Sequence, residues 1–175
     1  MTALLARLRD DQSGVSLVEF AVILPVMLLV YAGSFQLADA VSAYRKVTTT
    51  TRALVDLTTQ SSTLTAADID ANFAAASQIL APYSSKMVRM RITQISTDAG
   101  GVSRVDWSKA FQGTPYQDGK IIAVASGIRQ NATAILLAEI DYRYVPAALP
   151  AMIGTIPFRD QLYMNPRRSA RIALQ

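Results

Sequence analysis

Glu139 and Asp141 are the two carboxylates in this sequence that come closest to a catalytic pair. On a strand, residues two apart project from the same face, so both side chains would point the same way. General acid–base catalysis needs such groups in a cleft that drives their pKa values apart. A solvated strand face is the commoner setting for a pair of this kind, and we predict that setting here.

The sequence contains no histidine and no cysteine. Their absence removes the commonest general base, thiol nucleophiles and the usual structural zinc sites. We therefore predict a protein that is not an enzyme and that uses no cofactor and no metal. The net charge of +4 is scattered along the chain, without a basic stripe interleaved with aromatic residues. This distribution argues against a nucleic-acid partner.

Residues 15–38 form a long apolar run in which Glu19 is the one residue with a full charge. As a helix the run would measure about 36 Å, enough to cross the hydrocarbon core of a bilayer. We predict a transmembrane helix, because buried core helices are usually shorter and amphipathic. A secretory signal peptide cut at the small-x-small sequence Ala38-Asp39-Ala40 is an alternative. The run is longer than the apolar region of such peptides, about 7–15 residues.

Glu19 requires a physical explanation, because a carboxylate at mid-bilayer costs up to about 2.5–3.5 kcal/mol and less near the edge. In one interpretation the side chain reaches out to the lipid headgroups. In the other it pairs with a positive charge inside an assembly of helices. Ionisable residues in membrane segments are candidates for function by default, which favours the second interpretation.

The residues around Glu19 resemble a type IV prepilin cleavage site. Gly14 directly precedes the apolar run, Glu19 is the fifth residue after it, and the short leader is charged at Arg7, Arg9, Asp10 and Asp11. The pair Glu19-Phe20, followed by Leu24-Pro25, is similar to the Tad/Flp pilus assembly proteins, TadE-like pseudopilins in particular. Major Flp pilins often have Glu-Tyr at this pair and are much shorter, so the chain departs from them.

The resemblance implies that a prepilin peptidase cuts between Gly14 and Val15, and that Glu19 and Phe20 act in assembly. The cut would create an α-amine on Val15, four residues before Glu19 on the same helix face, where the two charges can pair. The implied partners are the prepilin peptidase, other pilins or pseudopilins, the Tad assembly platform and membrane lipid. The implied location is the inner membrane, single-pass, with incorporation into the pilus left open. Because the apolar run lies near the N-terminus and its leader is short, we expect the orientation N-in/C-out.

The elements after the anchor predict an α+β fold, in which a small antiparallel sheet packs on helix. We divide the chain into a leader (1–14), a transmembrane helix (15–38), a helix continuation or linker (39–60) and an extracytoplasmic domain (61–175). The continuation is weak from Val47 to Thr51, where all five residues are β-branched. A capping sequence at Thr65 starts a second helix, which runs to about Leu80. Its apolar stripe is Ile69, Phe73, Ala76 and Leu80.

Alternation of apolar and polar residues predicts the strands. A first strand starts near Lys86, a turn spans 98–101, and a second strand covers Val102 to Lys109. A long strand follows, with one apolar face formed by Leu136, Ala138, Ile140, Tyr142 and Tyr144. Residues 151–160 are ambiguous, and a final short strand covers Gln161 to Met164.

The second half of the chain is also similar to the TadE-like layout, more weakly. The similar features are Trp107-Ser108 after a hairpin, the strand around 139–142, and Pro166-Arg167-Arg168 near the end. We expect Trp107 and the tyrosines of the long strand to be core residues. We expect the basic tail of Arg167, Arg168 and Arg171 to be solvated, with contact to anionic headgroups as the alternative.

Three hypotheses for function follow from the sequence. The first is a TadE-like protein that is processed by a prepilin peptidase and acts in assembly of a Tad/Flp-type pilus. The second is an uncleaved single-pass membrane protein whose outer domain binds a ligand or an envelope component. The third is a secreted domain released after Ala40, for which an enzymatic activity stays open. The mature N-terminus distinguishes them.

Overall fold

A computed structural model describes residues 13–129, 131–147 and 150–175. It confirms the α+β class, because a long apolar helix is followed by a small antiparallel sheet of four strands. The chain divides into two compact units, the first ending at Asp39 and the second running from Ala40 to Gln175. The leader expected at 1–14 lies outside the described residues, apart from its last two positions.

The first element, α1, is a helix from Ser13 to Thr59 that contains Pro25. The β-branched stretch from Val47 to Thr51 does not interrupt it. Three threonine hydroxyls in this stretch donate to the backbone carbonyl four residues earlier, at distances of 2.8–3.1 Å. These bonds satisfy the hydroxyls locally. Val47 and Thr51 are also fully buried, so tertiary packing outweighs the poor intrinsic helix propensity of the stretch.

The second helix, α2, spans Ala66–Ile79 and begins as its sequence predicts. The backbone N–H of Asp68 donates to the hydroxyl oxygen of Thr65, and the backbone N–H of Thr65 donates to the Asp68 carboxylate at 2.8 Å. This reciprocal arrangement is a capping box. The predicted stripe of Ile69, Phe73 and Ala76 is buried, as is Leu80 just after the helix.

The main sheet has four strands, which are β2 (Val88–Thr97), β3 (Ser103–Phe111), β4 (Ala134–Tyr144) and β5 (Ile156–Met164). Across the sheet their order is β3-β2-β4-β5. β2 and β3 form the predicted hairpin. Its turn is closed by a bond of 3.0 Å from the Asp98 N–H to the Val102 carbonyl, and Gly101 adopts φ +82°. Glycine tolerates this left-handed conformation without steric cost.

The main core lies between one face of this sheet and the helices. Within the second unit, α1 contributes buried Ala43, Val47, Leu54 and Val55, so core packing begins well before residue 61. The apolar face predicted for the long strand is buried as expected, and so is Trp107, whose indole N–H donates to the Ile172 carbonyl at 3.0 Å. A smaller cluster on the opposite face joins Ile95, Val124, Ile135 and Leu137.

The last long strand, β5, begins five residues earlier than predicted, at Ile156 rather than Gln161. It includes Pro157, which lies opposite Arg143 of β4. Proline cannot donate to a ladder and is confined to edge positions of a sheet. Because β5 is an edge strand, the proline is tolerated there.

The basic C-terminal tail was predicted to be solvated, but Arg167 contacts the rest of the domain. The Arg167 guanidinium pairs with Asp56 at 2.6 Å, and its backbone N–H donates to the Thr59 carbonyl at 3.1 Å. Further along, β6 (Ala173–Leu174) pairs in parallel with β1 (Thr63–Leu64). Arg168 and Arg171 are exposed, as expected for a tail. Between β4 and β5, a short helix, α3, spans Pro150–Ile153.

Candidate functional site

The residues predicted to act in processing and assembly lie in the first two turns of α1. Gly14, Val15, Glu19 and Phe20 are all exposed. Val15 and Glu19 are four residues apart in a regular helix and therefore lie on the same side of it.

Among the described residues, no neighbouring atom requires position 14 to be glycine. A Cβ placed on it would meet no atom within 4 Å, and the same is true of Gly33 further along the helix. The absence of a side chain at position 14 is therefore not required by packing among the described residues.

The surface of α1 from Val15 to Leu37 is apolar and exposed nearly throughout. Large side chains such as Leu17, Phe20 and Leu28 are 72%, 58% and 58% exposed. Soluble monomers rarely expose an apolar surface of this extent. Among the described residues, α1 is the one helix long and apolar enough to cross a membrane. This surface needs lipid, other apolar helices or both.

Comparison with known proteins gives one match. Residues 14–55 match the family model described as TadE-like protein. The N-terminal segment is TadE-like. This confirms the resemblance seen at Gly14, Glu19 and Phe20. No curated protein and no solved structure matches the chain significantly.

The TadE-like match begins at Gly14 and ends at Val55, so it includes the exposed apolar surface and much of the helix that is buried in the second unit. Its first residue is the one predicted to precede the cut. The weaker similarities expected around Trp107, Glu139 and Arg167 lie outside the matched residues. The structure places Trp107 in the core and pairs Arg167 with Asp56.

The carboxylates Glu139 and Asp141 do lie on one face of β4, but the prediction of a solvated face is wrong for Glu139. Glu139 accepts two hydrogen bonds from the Arg91 guanidinium on β2, both at 2.8 Å, and its side chain is only 22% exposed. The Tyr116 hydroxyl donates to the same carboxylate at 3.3 Å. Asp141 instead pairs with Arg159 on β5 at 3.1 Å.

The arrangement around Glu139 attaches a loop to the sheet. The Arg91 guanidinium lies 3.7 Å from the centre of the Tyr116 ring and donates to the Thr114 carbonyl at 3.2 Å. The hydrogen bond that Arg91 donates to Glu139 raises the pKa of Arg91, so this guanidinium stays charged. Burial, and next the negative charge of Glu139, raise the pKa of the Tyr116 hydroxyl. Each of the two carboxylates on this face forms an ion pair with an arginine of a neighbouring strand.

The sequence did contain a signal for the Arg91 contact. Arg91 alternates with buried Met90 and Ile92, so it must project from the outer face of its strand, as Glu139 does. The sequence did not predict the register of β2 against β4, which places the two residues opposite each other. In the described part of the chain, no group of three or more acidic, histidine or cysteine side chains could hold a metal ion.

Proposed function

We propose that this chain is a pilin-like protein that a prepilin peptidase cuts after Gly14, and that it acts in assembly of a Tad/Flp-type pilus. One observation carries the proposal. The segment that matches the TadE-like model begins at Gly14 and presents an exposed apolar helix surface with a single carboxylate, Glu19, near its start. We place the helix in the inner membrane, with its N-terminus inside and the domain outside.

The mechanism is one of helix packing. Cleavage frees the α-amine of Val15 within reach of the Glu19 carboxylate, on the same chain or on a neighbouring one. Pairing neutralises two charges that would each be costly in the membrane. A pair between neighbours would also fix the axial register of packed helices, while Phe20 and the apolar residues after it supply the contact surface. The outer domain acts through binding and not through catalysis.

Processing is tested by intact mass and N-terminal sequencing of the protein purified from membranes. We expect a mature chain that starts at Val15, and Gly14→Leu should leave the leader attached. Gly33→Leu is the matched control, since it adds the same side chain to an equally open glycine of α1. A mature chain that starts at Met1 or Thr2 would contradict the proposal and favour an uncleaved membrane protein. A start at Val41 would favour a secreted domain.

The role of Glu19 is tested by Glu19→Gln in cells, with cleavage, membrane level and piliation scored separately. We expect cleavage and insertion to persist. Association should fall roughly 5- to 150-fold, because removing one member of a partly buried pair leaves the other without its counter-charge. Glu19→Asp keeps the charge and should retain part of the function. Normal piliation in Glu19→Gln would show that the carboxylate only reaches the headgroups.

A further inference from the structure

The two edges of the main sheet differ in how they are covered. At the β3 edge, the chain's own loop supplies partners. The Val105 N–H donates to the Lys120 carbonyl at 2.9 Å, the Gly119 N–H to the Val105 carbonyl at 2.8 Å, and the Ile122 N–H to the Ser103 carbonyl at 3.1 Å. At the β5 edge, no described residue supplies such a backbone partner.

Pro157 fixes which backbone groups of β5 face outward. It lies within a continuous antiparallel ladder with β4, and because it has no N–H its nitrogen must face away from β4. Backbone groups alternate between the two sides of a strand. The N–H groups of Arg159, Gln161 and Tyr163 therefore also point to the open edge, and so do the carbonyls of the same residues. These are the groups that an added strand would use.

The outer face beside this edge is basic. The charged residues that β2, β4 and β5 present on it are Arg89, Arg91, Arg143, Arg159, Glu139 and Asp141. They include two more guanidinium groups than carboxylates. Within the described chain no ion pair joins Arg89 or Arg143, whereas Arg91 and Arg159 neutralise the two acids.

An added strand would lie directly against this basic face. The side chain of Arg159 projects from the edge strand and is 78% exposed despite its contact with Asp141. Arg143 lies one strand further in, behind the short side chain of Pro157. Strands are spaced about 4.8 Å apart, so acidic side chains at alternate positions of an added strand can reach both arginines. Above the same face, a groove of about 1020 Å³ is lined by three arginines and three carboxylates, one of which is Asp160 of the edge strand. The excess of positive charge therefore comes from Arg143, which lies outside the groove.

We infer that the open edge of β5 is a docking site for an extended segment of another protein, which adds as a fifth strand and carries acidic side chains at alternate positions. Main-chain hydrogen bonds would supply affinity, and the arginines would select the acidic side chains. This inference depends on the fold of the second unit alone. It holds whether or not Gly14 is cut, and the experiment below does not measure processing or piliation.

The test uses the full chain in a nonionic detergent and two fluorescent peptides of about eight residues, a typical strand length. One peptide alternates glutamate with valine and the other alternates lysine with valine. Fluorescence anisotropy at low salt measures affinity, because exposed charges are screened at high salt. We expect the glutamate peptide to bind at least tenfold more tightly. It should also slow amide exchange at Arg159, Gln161 and Tyr163.

Gln161→Pro separates strand addition from simple attraction of charge. It removes an outward N–H but no bond to β4, as Pro157 already does, so the sheet should be retained and affinity should fall at least tenfold. Gln161→Thr keeps the N–H and should bind like the parent protein. Arg159→Glu should remove the preference for the glutamate peptide. Thermal unfolding of each variant establishes that the domain is folded.

Four outcomes would overturn the inference. Equal affinity for the two peptides, or no binding of either, would show that the β5 edge does not select an acidic segment. Unchanged binding in Gln161→Pro, with loss in Arg159→Glu, would show attraction of anions such as lipid headgroups without strand addition. Self-association of the full chain that Gln161→Pro abolishes, without peptide binding, would show that a second copy occupies the edge.

Discussion

Two stretches of the same helix, α1, contain similar apolar residues in opposite surroundings. From Val15 to Leu37 the large apolar side chains are exposed, with Leu28 at 58%. From Ala43 to Thr59, four apolar side chains belong to the core of the second unit, namely Ala43, Val47, Leu54 and Val55, and Leu54 is fully buried. The buried stretch is the more polar of the two, because it contains threonines whose hydroxyls bond to the helix backbone.

The comparison shows that composition alone does not reveal which apolar residues form the core of the domain. In the first stretch, the environment that stabilises the helix has to be supplied from outside the chain, by lipid or by other helices. In the second, the sheet and α2 supply it. Membrane insertion and domain stability should therefore be separable by single substitutions within one helix.

The largest expected effect comes from Leu54→Ala compared with Leu28→Ala. Removing a fully buried leucine side chain costs about 2–5 kcal/mol of unfolding free energy. The same change at Leu28 should alter the stability of the domain by less than about 0.5 kcal/mol, as for surface substitutions. Denaturant unfolding of the full chain in detergent, followed by the fluorescence of Trp107, measures both. Equal losses would mean that the two stretches do not differ as described.

A second prediction concerns two ion pairs on the outer face of the sheet that differ in exposure. A double-mutant cycle on Arg91 and Glu139 should give a coupling of about 1–2 kcal/mol, since the bonds are charge-assisted and partly shielded from water. The control cycle on Arg159 and Asp141 should give about 0–1 kcal/mol, because that pair is largely exposed. A larger coupling in the control pair would contradict the role assigned to burial.

The features that the sequence predicted well are local ones. The capping box at Thr65 and the stripe through Ile69 and Phe73 depend on neighbours within one or two turns. The alternating faces of β4 follow from the period of a strand. The long apolar helix could be predicted for the same reason, since length and apolarity are read from consecutive residues. The residues around Glu19 were recognised by their resemblance to a known motif.

The features that the sequence missed depend on residues far apart in the chain. Arg91 and Glu139 are 48 residues apart, and only the register of β2 against β4 brings them together. Two further contacts join residues that are still farther apart in the sequence. They are the ion pair of Arg167 with Asp56 and the short β1–β6 ladder. Two-residue strands have no period to detect. The open edge of β5 required the strand order, which no local pattern contains.

The smallest expected effect is a pH dependence at the start of α2. The Asp68 carboxylate accepts a hydrogen bond of 2.8 Å from the Thr65 backbone N–H and one of 2.7 Å from the Thr65 hydroxyl. The backbone bond is the larger cause and the hydroxyl the smaller, and both hold the pKa of Asp68 below its ordinary value of 3.8. A carboxylate with a lowered pKa in the folded state binds its proton more readily in the unfolded chain. The stability it contributes is therefore fully present above pH 3.8 and is lost as the pH falls through the lower folded pKa.

Asp68→Asn tests this directly, because asparagine retains an acceptor oxygen for the cap but does not titrate. The difference in unfolding free energy between the parent protein and Asp68→Asn should shrink as the pH is lowered from neutral to about 3, below the ordinary pKa of aspartate. The effect should be small, since Asp68 is fully exposed and solvent weakens its contacts. In a Thr65→Ala background the hydroxyl is gone but the backbone bond can persist, so part of the pH dependence should remain. If the parent protein and Asp68→Asn keep a constant difference over the whole range, the cap contributes no proton-linked stability, and the start of α2 is held by apolar packing alone.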